Sequence, residues 1–197
     1  EISAFQADLG IEVTITLFSK NGLQQLFAAI DTAKELSANA KRIIALQNDY
    51  INTIDAVIYF LQGKNPELSS LISKRDFLPE ASRFAQTDDL MWAFGSMGTQ
   101  DKAKHLATLY LEDLSDLIKE CVDEHFGFSR YAEKLGRTAG SFDELYAGLQ
   151  NEPTYIDKIL IDILEKRMAI VQPQLVCISV PFPGNLYTSL RCAQWIK

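Results

Sequence analysis

Residues 173–197 read PQLVCISVPFPGNLYTSLRCAQWIK, and the fold turns on how this stretch is taken. Leu175–Val180, LVCISV, is an uninterrupted apolar run of the kind found in a central parallel strand buried on both faces. Pro181, Pro183 and Gly184 punctuate it, and Asn185 stands where it would cap a helix opening at Leu186. The spacing predicts strand, loop and helix, one half of an α/β unit. In an open α/β sheet, ligands sit beyond the carboxyl ends of strands, where helix N-termini offer free N–H groups to anions. Ser179, Val180, Pro181, Phe182, Gly184 and Asn185 are therefore the candidate cofactor-binding residues. A plain strand–turn–helix connector without a ligand is the other reading.

Working back from this stretch, β character is expected once more, at Ile2–Asp8, before Gly10. The pattern between is helical. Ser19 caps a helix carrying Leu23, Leu26, Phe27 and Ile30, and a stripe from Ile43 to Leu61 stops at Gly63. Pro66 and Pro79 suit first helical turns, and a longer helix carries Ala103, Leu106, Leu109, Leu114, Leu117, Ile118 and Cys121 as far as Gly127. Ser141 with Glu144 has the capping-box spacing. Thr154 opens a helix with Ile156, Ile159, Leu160, Ile163, Leu164, Met168 and Val171 inward. The expected fold is mainly α: a helical insertion flanked by two strands of an incomplete Rossmann-like (flavodoxin-like) α/β domain. The corresponding divisions are 1–37, 38–153 and 154–197.

The totals set limits. With 47% apolar and 23% charged residues among 197, the chain is globular rather than disordered. A net charge of −7, with no clustered Lys or Arg, argues against nucleic acid or an anionic membrane as partner. No apolar run is long enough to cross a bilayer. Cys121, Cys177 and Cys192 lie far apart in apolar runs and read as reduced core thiols of a cytoplasmic protein.

The terminal stretch resembles the third strand and following helix of the cobalamin-binding domain in B12-binding radical SAM proteins, where P-x-L-V-G-I-S-V-P-F-x-G-N-L-Y-x-x-L-R-x-A-x-x-I-K recurs. Cys177 replaces the usual glycine. SAFQADLGIEVTITLFS, near the start, is similar to the second strand and helix of that domain. The two matches cover roughly 45 residues, and the helical middle resembles an insertion that some members carry. The resemblance implies a non-catalytic N-terminal piece of an iron–sulfur oxidoreductase. Its parent would use a [4Fe–4S] cluster and S-adenosylmethionine, with cobalamin as a further possible cofactor. The missing partner would be the C-terminal radical SAM barrel of the same chain. No cofactor is expected on the chain itself, since its cysteines lack the C-x-x-x-C-x-x-C spacing.

His125, in DEHFG, is similar to the histidine of a D-x-H-x-x-G cobalt-ligating phrase. Its glycine comes one residue early, and a helix C-terminus explains the histidine as well. Asp101, His105, Glu112, Asp113 and Asp116 read as a solvated helix face rather than a metal site. No catalytic constellation is found. Two functions remain: the accessory piece just described, and a helical protein-interaction or oligomerisation module with a structural α/β remnant. Other open α/β families, flavodoxin-like and receiver domains among them, complete the field. Because LVCISV carries no charge, an unpaired strand there is expected to recruit a second copy.

Overall fold

The computed structural model describes residues 9–87, 98–124, 126, 142–180 and 185–197. Among them the architecture is mainly helical and no strand is present, which corrects the expected Rossmann-like flanks. The Ile2–Asp8 strand lies outside the described residues. Leu175–Val180 is described, and it has no regular secondary structure. The reason is pairing. A strand exists through the ladder it makes with a neighbour, and no backbone hydrogen bond joins this run to another described segment.

The chain divides into two units, residues 16–127 in one and residues 1–15 with 128–197 in the other. The division falls inside α1 (Leu9–Leu17).

In the unit of residues 16–127, α2 (Lys20–Ala29) begins as its sequence dictates. Ser19 Oγ accepts the Gly22 N–H at 3.0 Å, and Asp55 Oδ1 accepts the Lys20 N–H at 2.9 Å. Then come α3 (Ala38–Ala45), α4 (Gln47–Leu61), a 3₁₀ turn Pro66–Leu68, α5 (Ser69–Ser73), a second 3₁₀ turn Ser82–Gln86 and α6 (Thr99–Cys121). Gly63 takes positive φ, 76°, after α4, as a stop there requires. Pro66 does open a helical turn. Pro79 does not, since the next turn begins at Ser82.

The centre of this unit is α6. Its residues Ala103, Leu106, Ala107, Tyr110, Leu114, Leu117 and Ile118 recur at three and four positions and are all buried. Helices α3, α4 and α5 and the Ser82–Gln86 turn pack on it, and α2 packs on α4. Leu23, Leu26, Ile43, Tyr50, Ile54, Val57, Phe60 and Ile72 complete the interior. The Tyr50 and Tyr110 rings lie 4.9 Å apart between centroids.

The other unit holds α7 (Phe142–Gln150), α8 (Tyr155–Val171) and α9 (Leu186–Ile196) with the first residues of α1. Thr154 Oγ1 accepts the Asp157 N–H at 3.1 Å, while the Asp157 carboxylate accepts the Thr154 N–H at 3.2 Å. This is a capping box. Gln172, at φ 46°, ends α8 in the left-handed region. Among the described residues its buried centre is Leu160, Leu164 and Cys192, with Leu9, Val13, Met168 and Ile196 around it. Ile156, Ile159 and Ile163 are only half-buried and Val171 is exposed, against the expectation that all faced inward. Arg167 pairs with Glu12 at 2.9 Å at the surface. No described helix is long and apolar enough to cross a membrane.

Candidate functional site

The segment singled out by sequence is carried by α9, and one arginine fixes α9 in its unit. Arg191 is 5% exposed. Its Nη2 donates to the carbonyl oxygen of Gly148 at 2.9 Å and to the hydroxyl of Tyr187 at 2.7 Å. Nη1 donates to Leu149 O at 3.1 Å and to Gln194 Oε1 at 3.2 Å. Gln194 Nε2 reaches Leu149 O as well, at 3.2 Å. The carbonyls that end α7 thus find donors on α9, which a helix C-terminus requires. On its other side Arg191 Nε lies 3.2 Å from Asp157 Oδ2, and the Tyr187 hydroxyl donates to the same oxygen at 2.9 Å. Burial pushes the Tyr187 phenol up, so it stays a donor to Asp157. Helices α7, α8 and α9 meet at these three side chains. The arrangement is structural: Arg191 Nε, buried without a hydrogen bond, is paired by charge with Asp157, and the other polar groups are hydrogen-bonded to one another.

Upstream of α9 the candidate residues are placed as follows. Ser179 and Val180 are exposed and irregular, and Pro181, Phe182 and Gly184 lie outside the described residues. Asn185 precedes α9 with φ −93° and ψ −4°, and its side chain makes no capping hydrogen bond. The whole run Leu175–Val180 is exposed, Leu175 to 80%. An uncharged stretch extends from Gln172 to Leu190. Other large apolar side chains of this unit are exposed too, among them Ile11, Ile15, Phe142, Tyr146, Ile170 and Trp195. Of the exposed large hydrophobics among the described residues, all but Tyr59 and Leu71 belong to this unit.

In the unit of residues 16–127 the structure brings together residues that the sequence reading kept apart. Asp113, expected on a solvated face, is fully buried. Its Oδ1 accepts the Arg83 N–H at 3.0 Å and its Oδ2 the Ala81 N–H at 3.0 Å, with the Tyr50 hydroxyl at 3.4 Å. A signal was available: Asp113 follows Tyr110 by three positions and precedes Leu117 by four, so it falls on the apolar stripe of α6. Desolvation pushes its carboxyl above the usual range, against the two backbone donors. Asp113 holds the chain where it enters the Ser82–Gln86 turn. Arg83, whose side chain pairs with Asp116 at 2.7 Å, adds a second tie to α6.

Beside that turn is an open cleft of about 430 Å³, lined by residues of α3, by Arg75 and by Glu80, Ala81, Ser82, Phe84 and Ala85. Arg75, at φ 64°, forks its Nε and Nη2 onto the Glu80 carboxylate at 2.8 and 2.5 Å. Arg42 Nε donates to the Glu80 carbonyl oxygen at 2.7 Å, and Asn39 Oδ1 accepts the Ser82 N–H at 3.0 Å.

Among the described residues no group of three or more His, Cys, Asp or Glu could hold a metal ion. His125 lies outside them. Of the three cysteines, all free, only Cys192 is buried; Cys121 is half-buried and Cys177 exposed, which corrects the reading of all three as core thiols.

Comparison adds no relative. No family model matches the chain, no curated protein matches its sequence, and no solved structure matches its fold.

Proposed function

We propose that this chain is a non-catalytic accessory module of a B12-binding-type radical SAM oxidoreductase, docking through Leu175–Val180 onto a sheet edge of the catalytic part. The observation that carries the proposal is that every residue of LVCISV is exposed, in the segment that leads to a helix anchored at Arg191. Six consecutive residues without charge, presented to water, gain by pairing: main-chain hydrogen bonds hold an added strand and alternate side chains enter pockets. The terminal phrase PQLVCISVPFPGNLYTSLRCAQWIK supports the identity of that sheet, because of its resemblance to the family. The helical remainder serves as a cap. The [4Fe–4S] cluster and S-adenosylmethionine, with any cobalamin, belong to the catalytic part. The gene, or one beside it, is then expected to encode C-x-x-x-C-x-x-C, and co-expression of that part should protect the amides of residues 175–180 from hydrogen exchange. A genomic neighbourhood without the motif would defeat this identity.

A second reading has its own observation, the uncharged run Gln172–Leu190. Without charges to repel, two copies can pair there, and the chain is then an oligomerising helical module.

A further inference from the structure

We propose that the cleft between α3 and the Arg75–Ala85 loop binds a small molecule through an oxyanion group, phosphate or carboxylate, held on the Arg42 guanidinium. This goes beyond the docking function and uses none of its residues.

The case rests on what the lining groups have left to give. Arg42 is oriented by its Nε–H on the Glu80 carbonyl oxygen. That bond leaves its two terminal nitrogens with no partner among the described residues, so a planar pair of donors is held in place at the cleft. Asn39 spends its oxygen on the Ser82 N–H, and its amide nitrogen donates to no described residue. The Ser82 hydroxyl has no described partner either, and both residues line the same cleft. The unused groups are donors.

Charge agrees. Among the lining residues the acid is Glu80, and both its oxygens are occupied by Arg75. The Arg42 guanidinium, which pairs with no described carboxylate, leaves a positive charge at the cleft in a chain of net charge −7. The neighbouring Arg83 adds nothing to it, since Glu112 and Asp116 take its charge outside the lining. The cleft's 430 Å³ is within the roughly 300–1,000 Å³ of small-molecule sites. Arg75 supplies a further sign. Its left-handed backbone is uncommon for a residue with a Cβ, and it is this conformation that carries the fork onto Glu80. The outcome is an acid neutralised beside an arginine left open.

The test is a titration of the full chain, followed by nitrogen–proton NMR of the Arg42 Nε–H and the Ser82 amide. Sodium phosphate and sodium acetate are the two probes, each compared with sodium chloride at matched ionic strength. A saturable shift with a dissociation constant in the millimolar range is expected from at least one probe. Tighter phosphate binding assigns a phosphate-bearing ligand, and equal or tighter acetate binding assigns a carboxylate. Arg42→Gln should weaken binding at least tenfold. Asn39→Asp keeps the acceptor for Ser82 but places a carboxylate in the cleft, so it should abolish binding in a folded chain. Shifts that never saturate, that persist in Asn39→Asp, or that are unchanged in Arg42→Gln would overturn the proposal.

Discussion

Arg191 Nε and Asp157 Oδ2 lie 3.2 Å apart, and each side chain is more than nine-tenths buried. Removing one partner of a buried pair leaves the other charge uncompensated, at about 3–5 kcal/mol. Arg191→Met should therefore unfold α7–α9 early, since the α7 carbonyls lose their donors at the same time. Urea unfolding followed by the fluorescence of Trp195 measures it. A loss below about 1 kcal/mol would show the pair to be incidental.

Asp113 gives a pH dependence of definite sign. Its folded carboxyl is raised chiefly by desolvation, so the folded chain holds that proton more tightly than the unfolded one. The ionised group thus opposes folding at neutral pH. That opposition is relieved as pH falls through the raised value toward the ordinary 3.8, with no further gain below both. Asp113→Asn lacks the titration. Between pH 7 and pH 4 wild type should gain stability relative to it, and a constant difference across that range would refute the assignment. Asp113→Ala should cost about 3 kcal/mol at pH 7, because the Ala81 and Arg83 N–H groups are left without an acceptor, and more at pH 4, since it lacks the same titration.

Gly22 is required by contact rather than by dihedral angle. A Cβ there would lie 2.0 Å from the Thr16 carbonyl oxygen and 2.6 Å from that of Leu17. Backbone cannot step aside as a side chain can, so Gly22→Ala should cost about 3 kcal/mol. Thermal unfolding followed at 222 nm reads this directly. An unchanged midpoint would mean that the end of α1 does not sit against α2 as described.

How much of this was legible beforehand follows from the range of each interaction. Ser19, Gly63 and Thr154 were read correctly as helix punctuation, because a cap is decided within four residues. The apolar character of LVCISV was legible as well. Its lack of a ladder was not, since pairing depends on a segment far away in sequence. Asp113 was misread because its acidity outweighed its position on the stripe of α6. The contacts of Arg191 with Gly148 and Asp157 were beyond reach, as the three residues come from three helices. The Arg42 cleft, assembled from α3 and a loop more than thirty residues later, left no local mark.

Ile178 tests the docking face. At 41% exposed it contributes little to folding, so Ile178→Lys should leave the melting temperature within about 1 °C of wild type. Any dimer formed through Leu175–Val180 should dissociate, because the two lysines would oppose each other. A thermal melt followed at 222 nm gives the first answer, and sedimentation equilibrium at high concentration gives the second. A dimer equally strong in the variant would place self-association elsewhere.

The unequal interiors of the two units have a kinetic meaning. Leu160, Leu164 and Cys192 are a short list against the many side chains gathered around α6. Segments with so few buried contacts open at low free energy, without waiting for global unfolding. Amides of α8 and α9 should then exchange with deuterium through subglobal opening, and a protease should cut the chain there long before it reaches Leu106–Ile118. The docking proposed for LVCISV would suppress that local opening first.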